Sequence, residues 1–158
     1  AGGSLLDVGI YTLTLADLIY GSRPDEFSAK AKLSPEGIDK HLGVVAKYPN
    51  GGLARLGSAI NAAIGFSGRV TGTEGTIEIP LFWQAEKATL TTNDSSEEIS
   101  IPHDVNGFEH QIREVQKCLE SGVTESAVVP WSWSLSMSRL MDEIRSEIGV
   151  TYPADKEF

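Results

Sequence analysis

The sequence has little cysteine and no cluster of basic residues. Cys118 is the single cysteine in 158 residues, which excludes an intrachain disulfide framework and a zinc site built on several cysteines. Lys and Arg number 13 against 22 Asp and Glu, so the formal net charge is −9. A chain this acidic lacks the electrostatic footprint of a protein that binds nucleic acid or an anionic membrane. We therefore expect one soluble domain in a reducing compartment, with the cytoplasm as its location.

The sequence also lacks a long apolar run. The most apolar stretch, residues 5–20, contains Asp7 and Asp17 and is shorter than the roughly 20 apolar residues that a membrane-spanning helix needs. No basic residue precedes it, so it does not have the pattern of a signal peptide. A helix that is apolar on most of its sides is normally covered by other parts of a protein. We therefore expect the chain to be part of a longer protein, whose other domain covers this helix.

Motifs of several common enzyme classes are missing. The sequence contains no Gly-x-Gly-x-x-Gly turn and no phosphate-binding loop, so it carries no dinucleotide-binding turn of its own. The serines within residues 132–138 lack the Gly-x-Ser-x-Gly elbow of serine hydrolases. His41, His103 and His110 show no spacing typical of a metal site. The sequence predicts no metal centre.

The middle of the chain has the pattern of β-strands. Short runs of Thr, Val and Ile alternate with turn signals. Asn50 and Gly51 predict the turn of one hairpin, and Gly75 is expected to take a positive φ in the turn of the next. The predicted strands are residues 25–33, 42–48, 53–60, 66–71, 76–80, 87–92 and 97–101. We expect these strands to form a single sheet.

Helical patterns precede and follow the strands. A first helix is predicted over residues 4–20, with Ser4 as its cap and Gly21 as its stop. A second begins near Asn106 and Glu109, which have the spacing of a capping box. The sequence predicts an α+β domain over residues 1–158, with one mainly antiparallel open sheet and the helices on one face.

The last helix follows Pro130 and stops at Gly149. Its apolar residues recur at helical spacing, which favours core packing over a box that binds an aromatic ligand. These residues are Trp133, Met137, Met141, Ile144 and Ile148.

Asp7 and Tyr11 are the candidate reactive pair. They lie four positions apart on the first helix and therefore on one face of it. A phenol beside a cation can exchange a proton with a substrate hydroxyl, and a carboxylate can orient it. The spacing alone favours a structural interpretation, in which the helix dipole stabilises Asp7 and Tyr11 packs in the core.

Three segments together resemble the Gfo/Idh/MocA oxidoreductases. Residues 1–11, from Ala1-Gly2-Gly3 to Tyr11, resemble the glycine and aspartate motif that opens the C-terminal domain of that family. Residues 70–77 resemble its Gly-Thr-Glu-Gly turn. Residues 107–145 resemble the branch of dimeric dihydrodiol dehydrogenase and NADP-dependent D-xylose dehydrogenase.

The resemblance implies the fold and the function of a C-terminal domain like that of glucose-fructose oxidoreductase. In such an enzyme a separate N-terminal Rossmann domain, absent from this chain, binds NADP or NAD and supplies a lysine. Tyr11 is then the general acid/base, Asp7 positions the substrate, and Gly2 and Gly3 let backbone approach the nicotinamide. Phe108 is a further candidate for substrate contact.

The substrate implied is a sugar, polyol or cyclic diol, whose hydroxyl-bearing carbon gives hydride to the nicotinamide. The open sheet face implies a homo-oligomer, a dimer in the simplest case, and the chain alone is expected to be inactive. The alternative is a non-catalytic binding or assembly module with the same fold.

Overall fold

The computed structural model describes residues 2–156. The chain divides into two compact units, of which the first comprises Ala1–Ile64 with Ser132–Phe158 and the second Gly65–Trp131. In chain order the elements are a π-helical turn (Leu5–Gly9), α1 (Ile10–Tyr20), β1 (Glu26–Leu33), β2 (Asp39–Lys47), β3 (Leu53–Ala59), β4 (Gly68–Thr71), β5 (Gly75–Ile79), a 3₁₀ turn (Phe82–Gln84), β6 (Lys87–Thr92), β7 (Ser96–Ser100), α2 (Phe108–Glu120), α3 (Trp131–Ile148) and a 3₁₀ turn (Pro153–Lys156).

In the first unit, the helices cover one face of a three-stranded antiparallel sheet. The sheet order is β1-β2-β3, and β2 alternates buried and exposed residues, as expected when only one face is covered. Its inward residues pack in one cluster with residues of α1 and α3. The buried members from β2 and α3 are Leu42, Val44, Ala46, Met137, Leu140 and Ile144.

The stripe predicted on the last helix is confirmed as core. Met137 and Ile144 are buried, while Trp133, Met141 and Ile148 are partly buried against the same cluster. Trp133 also donates a hydrogen bond from its indole nitrogen to the Asp17 carboxylate of α1, at 2.7 Å. The tryptophan and the methionines therefore hold α3 to the rest of the first unit.

The second unit contains a four-stranded antiparallel meander, in the order β4-β5-β6-β7, and helix α2. The predicted hairpins are confirmed, with Thr71 paired to Thr76 and Thr91 to Ser96 across their turns. The apolar stripe of α2 is exposed, from 55% at Ile112 to 72% at Leu119. The stripe thus packs far less than that of α3.

The α+β class and the antiparallel pairing are confirmed, but the prediction of a single sheet is wrong. Among residues 2–156, no strand pairing joins β3 to β4. Residues 60–67, which separate them, form bends and irregular backbone and provide no ladder that could extend one sheet into the next.

Gly75 does not adopt the predicted positive φ. Position 75 requires glycine for a different reason. The Cβ of any other residue there would lie 2.5 Å from the carbonyl oxygen of Thr91 on β6, which is too close. The turn between β4 and β5 therefore needs glycine for close strand packing.

No helix within the described residues is long and apolar enough to cross a membrane.

Candidate active site

The helix that carries Asp7 and Tyr11 begins with a π-helical turn. The N–H of Ile10 donates to the carbonyl of Leu5, five residues earlier, which is the hydrogen bond of a π-helix. The helix then continues in the α form from Ile10 to Tyr20. Single π turns inside helices are frequent at functional sites. Asp7 lies within this turn, and Tyr11 is the second residue of α1.

A buried carboxylate from another element caps this helix. Asp39, the first residue of β2, is fully buried and accepts a hydrogen bond from the N–H of Leu5 at 2.6 Å. A side-chain acceptor at this place satisfies one of the free N–H groups of a helix start. Sequence analysis missed Asp39, since it lies 34 positions from the N–H that it caps.

The prediction that Ser4 caps the helix is therefore wrong. Ser4 itself has helical backbone, at φ −62° and ψ −39°, whereas a capping residue needs a non-helical conformation to return its side chain to the helix. Its hydroxyl bonds instead to that of Ser58 on β3, with 2.6 Å between the oxygens. Both serines are buried, so this bond ties the helix start to the sheet.

Two glycines allow the close packing of this segment. Gly3 has φ +139°, and a Cβ there would overlap the carboxylate of Asp39. A Cβ at Gly9 would lie 3.1 Å from the hydroxyl oxygen of Ser58. The resemblance implies that Gly3 lets backbone approach the nicotinamide, but in the structure the Asp39 carboxylate occupies the space beside it.

Gly2 differs from Gly3 because nothing lies within 4 Å of the place where its Cβ would stand. Its carbonyl accepts a hydrogen bond of 2.9 Å from the hydroxyl of Tyr152, which follows α3. The backbone at Gly2 is thus held on one side and open on the other.

Asp7 and Tyr11 are both exposed, and Tyr11 exposes 46% of its surface. The strands of the first unit therefore do not enclose the phenol, as they would if it were a core residue. The pair is accessible on a helix start whose backbone is fixed by Asp39, Ser58 and Gly9. This arrangement suits a phenol and a carboxylate that act on an external hydroxyl.

The remaining candidates belong to other elements of the chain. Phe108 is exposed at the start of α2, in the second unit. His41 is exposed on β2, as predicted for a residue on a strand surface. Desolvation, followed by the neighbouring Glu114 carboxylate, raises the pKa of the Cys118 thiol, which does not favour a thiolate nucleophile.

Comparison with known proteins identifies the family. Residues 1–78 match the family model of the GFO/IDH/MocA C-terminal domain. This part of the chain belongs to the GFO/IDH/MocA family. The resemblance of residues 1–11 and 70–77 is thereby confirmed, whereas residues 107–145 lie outside this match.

Curated relatives extend the similarity along almost the whole chain. Trans-1,2-dihydrobenzene-1,2-diol dehydrogenase of Mus musculus is 32% identical over 165 aligned residues, which cover 99% of this chain and 49% of the mouse protein. The enzyme of the same name from Homo sapiens is 29% identical, with 99% and 49% coverage. The chain therefore spans about half the length of these relatives.

Solved structures show the same fold. An aldose-aldose oxidoreductase from Caulobacter crescentus, complexed with glycerol, has a TM-score of 0.79 at 23% identity, covering 92% of this chain and 45% of that one. A 3-ketoreductase from Actinomadura kijaniata, in complex with TDP-benzene and NADP, has a TM-score of 0.73 at 22% identity, covering 94% and 48%. At these identities the structures establish the fold of the chain.

Proposed function

We propose that this chain is the substrate-binding half of an NAD(P)-dependent dehydrogenase that oxidises a sugar or a cyclic diol. The mouse relative is named for a dihydrodiol substrate, and the ketoreductase structure contains NADP. The observation that carries the proposal is the exposed pair Asp7 and Tyr11 on a rigidly held helix start. The exposed phenol is what a proton-transfer role requires.

In the proposed reaction, Tyr11 handles the proton of the substrate hydroxyl. In its phenolate form the Tyr11 oxygen accepts that proton while the carbon loses hydride, and the resulting phenol returns the proton in the reverse direction. The Asp7 carboxylate accepts a hydrogen bond from a neighbouring substrate hydroxyl and so orients the substrate. A lysine from the Rossmann domain, implied by the resemblance, would stabilise the phenolate.

Of the two glycines proposed to approach the cofactor, Gly2 fits the role and Gly3 does not. The open space at Gly2 lets a nicotinamide ring lie against the backbone, whereas Asp39 occupies that space at Gly3. When bound, the nicotinamide supplies the acceptor for hydride. We propose that the Rossmann domain provides most of its binding, since this sequence has no glycine-rich turn.

The test of this assignment is Tyr11→Phe in the full-length protein. Proton transfer by a positioned side chain contributes about 10²-fold or more, so turnover should fall by at least that factor. Tyr20→Phe is the matched control on the same helix, because the Tyr20 hydroxyl donates to the carbonyl of Leu53. Turnover of Tyr11→Phe within about twofold of the parent would contradict a proton-transfer role for Tyr11. It would favour the alternative, in which this part of the protein is a non-catalytic module.

We also propose that the open face of the first sheet mediates homodimerisation. The exposed residues on this face include Val45, Gly43 and Gly57, and small residues suit a flat contact between two copies. Light scattering should give about twice the 17.0 kDa of one chain. A monomer mass at high micromolar concentration would contradict this contact. The cytoplasmic location stays a prediction, which rests on the single cysteine.

A further inference from the structure

A histidine pair lies at the start of α2, in the second unit. His103 is in the loop before the helix, and His110 is in its first turn. Nδ1 of His103 lies 3.2 Å from Nε2 of His110, and the two rings are tilted by 60°. The backbone bends between them at residues 104–107, and nitrogens seven positions apart in sequence come together.

We propose that His103 and His110 together bind a divalent transition-metal ion such as Zn²⁺. In a tetrahedral zinc site with Zn–N distances of about 2.0–2.1 Å, two ligating nitrogens lie roughly 3.3–3.4 Å apart. The observed separation of 3.2 Å is close to this value. In the chain without metal, one nitrogen carries the hydrogen between them. Moving that hydrogen to the other nitrogen of the same ring leaves both lone pairs available.

The two rings are held in place before any metal binds. The backbone N–H of His103 donates to the Glu86 carboxylate at 2.9 Å. Its ring packs against Gly107, where a Cβ would lie 3.0 Å from Nε2. His110 is anchored by its place on α2 and is exposed on one side. A pair that is already arranged loses little freedom on binding a cation.

Glu109 supplies a negative charge beside the pair. A carboxylate oxygen of Glu109 and the two imidazole nitrogens all lie within 4.8 Å of one another. Its oxygens accept hydrogen bonds from the backbone N–H groups of residues 104–107, at 2.7 to 3.2 Å. Because these donors hold both oxygens, we assign Glu109 to balancing the charge of the cation, and water to the remaining ligand positions.

The donor set determines which cation fits. Imidazole nitrogen suits Zn²⁺, Cu²⁺ and Ni²⁺, whereas Mg²⁺ and Ca²⁺ prefer sites made of oxygen ligands. The pair should therefore discriminate strongly between Zn²⁺ and Mg²⁺. Its residues belong to the second unit, whereas the proposed dehydrogenase function rests on Asp7 and Tyr11 of the first unit.

The experiment is a calorimetric titration of the chelator-treated 158-residue chain with Zn²⁺. We expect one Zn²⁺ per chain, with binding weakened about tenfold or more in both His103→Ala and His110→Ala. His41→Ala is the matched control and should bind like the parent, because His41 is an exposed histidine of the other unit. An excess of Mg²⁺ should not displace the zinc.

Several outcomes would overturn the site. They are no Zn²⁺ binding by the parent, unchanged affinity in either pair variant, or an equal loss in His41→Ala. Circular dichroism of each variant checks its folding, and His103→Gln replaces His103→Ala if the latter unfolds. The visible absorption of bound Co²⁺ is a second readout, and it should change in both pair variants but not in the His41 control.

Discussion

The two units of the chain hold their helices in different ways. In the first unit, the apolar stripe of α3 packs in the core, with Ile144 fully buried. A carboxylate from β2 caps a different helix, the one that begins at Leu5 and continues as α1. In the second unit, α2 exposes its apolar stripe. Its own Glu109 forms a local cap of the preceding loop, because its carboxylate accepts hydrogen bonds from the backbone N–H groups of residues 104–107. Contacts between residues distant in sequence hold α1 and α3 in the first unit, whereas contacts between residues close in sequence hold the start of α2 in the second.

This difference shows what helical periodicity can and cannot predict. The apolar residues of α2 and α3 recur at the same helical spacing, and both helices are present. Whether a stripe is covered depends on the elements around it, which periodicity does not describe. The exposed stripe of α2 is a surface where a single substitution reports whether something else covers it in solution.

The largest expected effect comes from matched isoleucines on the two helices. Ile144→Ala on α3 should lower the free energy of unfolding by about 2–5 kcal/mol, because it empties a fully buried site. Ile112→Ala on α2 should cost less than about 1 kcal/mol, since Ile112 is 55% exposed. Urea denaturation followed by circular dichroism measures both. Equal losses would mean that the stripe of α2 is covered in solution.

A second, smaller effect concerns the buried cap of the first unit. Asp39→Ala leaves the N–H of Leu5 buried without its acceptor, which should cost about 1–3 kcal/mol of unfolding free energy. Asp39→Asn retains an acceptor oxygen at that place and should cost less. Urea titrations of the two variants test this order. If Asp39→Ala were as stable as the parent, the carboxylate would not be the cap that holds the helix start.

The sequence allowed prediction of those features that depend on neighbouring residues. The hairpin turn at Asn50-Gly51, the stop at Gly21 and the stripe of α3 are local patterns, and each is confirmed. The cap by Asp39 joins residues from separate elements, and no spacing rule connects them. The single cysteine and the missing glycine-rich turn exclude kinds of site, but they give no information on the division of the strands into two sheets.

The same limit applies to the candidate site and to the histidine pair. Helical spacing placed Asp7 and Tyr11 on one face, but their exposure depends on how the helix start packs on β2 and β3. His103 and His110 lack the spacing of a metal site on one element, and the bent loop before α2 brings them together. Spacing rules presuppose one continuous element and therefore missed this pair.

The smallest effect expected is a pH dependence of the local cap on α2. Desolvation acts to raise the pKa of Glu109, but the backbone N–H groups that it accepts outweigh this and lower the pKa to about 2 from its ordinary 4.5. Because the pKa of Glu109 is lower in the folded state than in the unfolded state, its ionised carboxylate contributes to the free energy of unfolding above pH 4.5. This contribution is lost as the pH falls toward 2. The start of α2 should therefore remain intact at pH 4 and loosen near pH 2.

Because many other carboxylates titrate in this range, the measurement must be local to the cap. The amide of Gly107 donates to Glu109 at 2.7 Å, so its NMR shift and hydrogen exchange report on this carboxylate. In the parent, both should change with a midpoint near pH 2. Glu109→Gln removes the titrating group, so the amide should exchange faster at neutral pH and lose most of its acid response. A midpoint near pH 4.5 in the parent would show that the backbone N–H groups do not hold the Glu109 carboxylate in solution. The local cap before α2 would then be weaker than the buried Asp39 cap of the first unit.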